Sequence, residues 1–141
     1  MSTKIKSILL VDDDEATNFA NRKILTKLKL AEQINVALNG KEAIEFLKND
    51  ESFTNQDKNL IRPQLILLDI NMPVMDGWEF MEAYKNLSHE RKADAVVVML
   101  STSGNPDDIS RAASFPEISG YNTKPLRPEA LKEILDQHFP D

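Results

Sequence analysis

The sequence predicts a doubly wound α/β sandwich, a five-stranded parallel sheet in the order 2-1-3-4-5 with helices on both faces. Three observations carry that reading. Short runs such as Ile8–Val11, Leu65–Leu68 and Ala95–Leu100 are apolar on both faces, the pattern of strands buried in the middle of a parallel sheet. Stretches with helical periodicity separate them, so strand and helix alternate five times and right-handed crossovers make the sheet parallel. Four of the strands also end in polar residues, at Asp12-Asp13, Asp69, Ser101-Thr102 and Lys124. In a parallel sheet all these ends lie on one edge, where open α/β sheets bind ligands.

Composition narrows the class. A chain of 141 residues suits one domain, with a core over about residues 5–138. The absence of cysteine excludes disulfides, thiolate metal sites and a cysteine nucleophile. No apolar run approaches a membrane span, and Met1-Ser2-Thr3-Lys4 leads straight into a strand, so a cytoplasmic protein is expected. A formal charge of −6 argues against a general nucleic-acid binder.

The elements follow in order. Ile5–Val11 is the first strand, ended by Asp12-Asp13-Asp14. Glu15–Leu28 has helical spacing, with Ala16, Phe19, Ala20, Ile24 and Leu28 on the expected buried face. Gln33–Leu38 alternates as an outer strand does. Asn39 has the position of a helix N-cap, with Glu42 three residues on and Ala43, Ile44 and Leu47 as the inward stripe. Asn49–Arg62 is polar and reads as a long surface loop. The strand Gln64–Asp69 must stop before Pro73, which cannot continue a ladder. Asp76-Gly77 then opens a helix to about Leu87 that buries Phe80, Ala83 and Tyr84. After the Ala95–Leu100 strand, Pro106 suits the first turn of a short helix that Pro116 closes. Ile118–Asn122 is a brief strand, and Pro128 opens a last helix with Leu131, Ile134 and Leu135 inward.

Order 2-1-3-4-5 sets the first strand beside the third and brings Asp13 to Asp69. Carboxylates converging there repel unless a cation sits among them, and hard oxygen ligands suit Mg²⁺, or else Mn²⁺. A plainer account has Asp12, Asp13 and Asp14 favouring the following helix dipole. That explains one acid or two, but not why Asp69 ends the neighbouring strand. Ser101 adds a hydroxyl and Lys124 an ammonium, while His89 and His138 lie in charged or terminal segments and form no Ser/His/Asp arrangement. The chemistry that fits is phosphoryl transfer to a carboxylate, with cations and a hydroxyl on the equatorial oxygens.

Ile8-Leu9-Leu10-Val11-Asp12-Asp13-Asp14, Leu67-Leu68-Asp69-Ile70-Asn71-Met72-Pro73-Val74-Met75-Asp76-Gly77, Met99-Leu100-Ser101-Thr102-Ser103 and Gly120-Tyr121-Asn122-Thr123-Lys124-Pro125 together resemble the receiver domain of two-component response regulators. The likeness spans essentially the whole chain in the right order and spacing, and it extends to stand-alone receivers, including those that partner phytochromes. It implies that Asp69 is the phosphoacceptor. Asp13, Asp69 and the Asn71 carbonyl would ligate Mg²⁺ directly, with Asp12 helping through water. Ser101 and Lys124 would grip the phosphoryl group, and Tyr121 matches the family's switch aromatic. Asn71 and Ser103 occupy the positions that flank the path of the hydrolytic water. Thr102 stands where a smaller residue is usual, which would narrow access to the phosphoryl pocket. The resemblance also implies a histidine kinase or histidine phosphotransfer protein as donor, a downstream protein target and a phosphorylation-dependent dimer as a further expectation. No effector domain follows Phe139-Pro140-Asp141, so output is expected through protein contacts or onward phosphoryl transfer.

Three other readings compete. A haloacid-dehalogenase-like phosphatase also uses an Asp nucleophile, Mg²⁺, Ser/Thr and Lys, but its nucleophile ends the first strand in a D-x-D-x-T/V pattern, and here Ala16 follows Asp12-x-Asp14. A receiver-like module that is never phosphorylated would not need the full acid, hydroxyl and lysine set. A flavodoxin-type nucleotide binder would need a phosphate-cradling loop, and the four glycines form none.

Overall fold

The computed structural model describes residues 5–48, 61–87, 95–102 and 104–140. The expectations placed on Ser103, on His89 and on residues 49–60 lie outside them. Five strands, β1 (Ile5–Val11), β2 (Ala31–Ala37), β3 (Leu65–Asp69), β4 (Val96–Ser101) and β5 (Ile118–Thr123), form one sheet in the order β2-β1-β3-β4-β5. Every pairing is parallel, as the sequence predicts. The helices are α1 (Glu15–Lys27), α2 (Gly40–Lys48), α3 (Gly77–Lys85), α4 (Pro106–Ala113) and α5 (Pro128–His138).

The central strands are apolar on both faces because both faces are covered. Leu9, Val11, Ile66, Leu68 and Met99 pack with α2, α3 and α4 through Leu47, Phe80, Tyr84 and Ala112. Ile8, Leu10, Leu65, Leu67 and Val98 point the other way, against Leu25 of α1 and Leu131, Ile134 and Leu135 of α5. Register aligns the carboxyl ends: Val11 sits opposite Leu68, Asp69 opposite Leu100, and Ser101 opposite Thr123. The residues just beyond those positions therefore meet at one edge.

Local chemistry fixes where helices begin. Asp76 caps α3 in a full capping box with Glu79. The Asn39 side chain accepts from the Glu42 N–H at 2.9 Å, and Glu42 reaches back to the Leu38 N–H at 3.1 Å, one residue outside the usual box. At its far end α1 closes in a Schellman motif. The Leu30 N–H bonds the Leu25 carbonyl and the Lys29 N–H the Thr26 carbonyl, with Lys29 at φ 54°.

One expected face is wrong. Ala16, Phe19 and Ala20 point to solvent, Phe19 with 69% of its surface exposed, while Asn18, Asn21 and Leu25 are the buried residues of α1. Ile24 and Leu28 are half-buried. The Asn18 amide donates to the Asp12 carbonyl at 2.8 Å and so sets the rotational phase of the helix. With residue 18 inward, its neighbour at 19 lies about 100° around the axis and faces out.

Candidate phosphoacceptor site

The edge where β1, β3, β4 and β5 end is acidic. Asp12 and Asp69 are 4% and 6% exposed, Ser101 is buried, and Asp13 faces solvent. One carboxylate oxygen from each of Asp12, Asp13 and Asp69 lies within 4.8 Å of the others, a spacing that can hold a metal ion. Lys124 reaches in from the end of β5. Its Nζ donates to Asp12 Oδ2 at 2.6 Å and lies 3.1 Å from Asp69 Oδ1. Its backbone N–H donates to the Ser101 carbonyl at 2.7 Å, so β4 and β5 deliver the hydroxyl and the ammonium as one unit.

The three acids differ in freedom. Asp12 is the most tied of them, because the Asp14 N–H donates to Oδ1 at 2.9 Å and Lys124 to Oδ2, one partner on each oxygen. Asp14 instead caps α1 through the Ala16 N–H and the Thr17 hydroxyl, which hold its carboxyl below the ordinary value, hydroxyl first. Asp69 is pushed the other way. Burial raises its pKa, the Asp12 charge adds to the rise, and the Lys124 hydrogen bond only partly opposes it. Burial also pulls the Lys124 pKa down, but the bonds and charges of Asp12 and Asp69 outweigh it and the net shift is upward. One ammonium thus serves two carboxylates and leaves Asp69 in excess negative charge.

The turn after β3 is tightly tied. The Gly77 N–H donates to the Ile70 carbonyl at 2.8 Å, and the Gly40 N–H to the Met75 carbonyl at 2.9 Å. A Cβ on Gly77 would sit 2.6 Å from the Asp69 carbonyl oxygen and 2.9 Å from Ile70 Cα, so only glycine fits behind the acid. Asn71 is exposed within this turn. Exposed Thr102 lines a groove with Thr17, Asn21, Lys124 and Pro125, on the α1 side of the site. Tyr121 is half-buried on β5, opposite Met99 and against the layer that holds α3 and α4.

A parallel 2-1-3-4-5 sheet whose first and third strands supply carboxylates, with a hydroxyl and a lysine from the fourth and fifth, defines the receiver class of α/β signalling domains. The chain belongs to the response regulator receiver domain family, which matches residues 8–136. It is 33% identical over 119 residues to the response regulator Rcp1 of Synechocystis, covering 84% of this chain and 76% of that one. It is 32% identical to the chemotaxis protein CheY of Halobacterium salinarum, over 93% of this chain and 95% of the relative. Among solved structures, a two-component response regulator from Cytophaga hutchinsonii superposes with a TM-score of 0.82 at 31% identity, over 97% of this chain and 98% of that one. The phosphatase and interaction-module readings are not favoured beside this match.

All the expected residues that are described gather at this edge: Asp12, Asp13, Asp69, Ser101, Thr102 and Lys124, with Asn71 in the adjoining turn and Tyr121 behind it. Sequence reasoning missed Asn18, whose amide holds Asp12, and passed over Gly77 as a mere helix start. Residues 18, 21 and 25 do share a helical face, but two of the three are polar and send no hydrophobic signal.

Proposed function

We propose that this receiver accepts a phosphoryl group on Asp69 in a Mg²⁺-dependent reaction and signals through protein contacts. The observation that carries the reading is the arrangement around Asp69: a buried carboxylate in excess negative charge, beside a lysine and a second acid that keeps solvent contact. The donor set is all hard oxygen, which fits Mg²⁺, with Asp13, Asp69 and the Asn71 carbonyl as direct ligands and Asp12 acting through water. When bound, the ion neutralises charge on the phosphoryl oxygens. An Asp69 carboxylate oxygen attacks phosphorus, an acyl phosphate forms, and the P–N bond to a phosphohistidine donor breaks with its electron pair returning to the imidazole nitrogen. Lys124 follows the transferred group, and the Ser101 hydroxyl donates to one of its oxygens. The donor is a histidine kinase or a histidine phosphotransfer protein. Asn71, exposed in the turn after β3, would flank the water path that limits the lifetime of the acyl phosphate.

Output is expected on the face made by α4, β5 and α5. Trp78, next to Gly77, stacks on Phe115 with ring centres 6.2 Å apart, and the Arg111 guanidinium of α4 lies 4.6 Å from the Trp78 ring. A shift in the turn behind Asp69 would therefore reach α4 through packed rings. Intact mass after treatment with a small acyl phosphate donor, with and without Mg²⁺, tests the proposal. A mass gain of one phosphoryl group that needs Mg²⁺ and is lost in Asp69→Asn is expected; a gain that survives this substitution refutes it.

A further inference from the structure

Every polar atom of Asp12 has a partner. The Ala37 carbonyl accepts its N–H at 3.1 Å, the Asp14 N–H and Lys124 hold its carboxylate, and the Asn18 amide holds its carbonyl. The last bond is unlike the others. Asn18 is 5% exposed, and while its Nδ2 donates to Asp12, its Oδ1 is buried with no hydrogen-bond partner among the described residues. A buried acceptor left unsatisfied costs stability, and an apolar side chain would remove that cost only by leaving the buried Asp12 carbonyl without its donor instead. What the asparagine gains is the bond to Asp12.

The bond has a consequence for the neighbouring residue. The Asp12 carbonyl belongs to the peptide plane whose N–H is that of Asp13. Holding the carbonyl at 2.8 Å fixes that plane, and with it the direction from which the exposed Asp13 carboxylate leaves the backbone. We infer that Asn18 is a positioning residue for the metal site: by clamping the Asp12–Asp13 peptide from α1, it aims Asp13 at the cation that Asp13 shares with Asp69. This rests on the Mg²⁺ reading of the site. Residues that orient metal ligands from outside commonly control affinity tenfold to a hundredfold.

The test is Mg²⁺ titration calorimetry on the full chain, paired with urea unfolding in metal-free buffer, for wild type, Asn18→Leu and Asn18→Ala. Both substitutions remove the donor. They differ in packing, since leucine fills the space and alanine leaves a void. The expected result is a similar loss of Mg²⁺ affinity in both, about tenfold or more. Both urea midpoints should fall because the Asp12 carbonyl loses its donor, that of Asn18→Ala further than that of Asn18→Leu because alanine also leaves a void. Phosphoryl uptake from the small donor should need more Mg²⁺ for half-maximal rate, yet approach the wild-type rate at saturating Mg²⁺. Unchanged affinity in Asn18→Leu overturns the inference, and so does an affinity loss that tracks the fall in stability across the two variants. A wild-type chain that binds no Mg²⁺ overturns the functional reading itself and this inference with it.

Discussion

Replacing Gly77 by alanine sets two effects of opposite sign against each other at the atom behind Asp69, the proposed phosphoacceptor. Gly77 is the first residue of α3, and none of the described glycines has a positive φ, so backbone conformation does not demand it. On helix propensity alone alanine would gain up to about 1 kcal/mol, and less at a first turn. Packing opposes that gain. The new Cβ would meet the Asp69 carbonyl oxygen at 2.6 Å, Ile70 Cα at 2.9 Å and Met99 Cε at 3.1 Å. The methionine can swing away, but the other two are backbone, and the Gly77–Ile70 hydrogen bond ties the helix to the strand it would have to leave. Reaching even the closest tolerable separation needs a movement of about 0.4 Å, and overpacking of this kind costs about 1–3 kcal/mol, so sterics win. Because the displaced carbonyl is that of Asp69, uptake of the phosphoryl group should also slow, by about tenfold if a 1 Å misplacement costs about a hundredfold. Urea unfolding and time-resolved intact mass measure the two effects. Gly104→Ala is the control, since nothing among the described residues lies within 4 Å of its Cβ, and it should be neutral or stabilise by about 0.5 kcal/mol. If Gly77→Ala is as stable as Gly104→Ala and is phosphorylated at the wild-type rate, the close-approach argument fails.

Three further outcomes are expected. Lys29→Gly should stabilise the fold by about 1 kcal/mol, because Lys29 holds φ 54° in the Schellman closure of α1 where glycine is unstrained; a lower urea midpoint would contradict this. Lys124→Met strands two carboxylates and should cost about 2 kcal/mol or more in metal-free buffer, with the deficit shrinking as Mg²⁺ is added; a deficit indifferent to Mg²⁺ would argue against shared neutralisation. The third is a pH dependence. The folded protein holds the Asp69 proton more tightly than the unfolded chain does, so the contribution of Asp69 is favourable in acid and is lost as pH rises through its raised pKa. Without metal, Asp69→Asn should therefore gain on wild type as pH rises above the ordinary aspartate value of 3.8, and a difference that stays flat or reverses would refute the assignment.

The sequence by itself determined the doubly wound parallel class and the edge where the polar strand ends meet, while the strand order and the expected roles of those residues came from the motifs taken together. Central strands must be apolar on both faces, prolines and caps mark where elements stop, and a parallel sheet brings all its carboxyl ends together, so Asp12, Asp69, Ser101 and Lys124 could be placed at one edge. The tertiary structure decided what depends on distance and rotation. The Ala16, Phe19 and Ala20 stripe reads as a core face because apolar periodicity is the only burial signal a sequence carries. Yet α1 is docked by a polar bond from Asn18 to Asp12, and that turns Phe19 outward. The division of labour among the acids was equally hidden. Asp12, Asp13 and Asp14 look alike in sequence, but backbone N–H groups and Lys124 occupy Asp12, the first turn of α1 takes Asp14, and Asp13 is left facing solvent beside Asp69. The backbone and cap partners of Asp12 and Asp14 lie two or three residues away, but Lys124 is 112 residues from Asp12, and only folding brings that ammonium within reach.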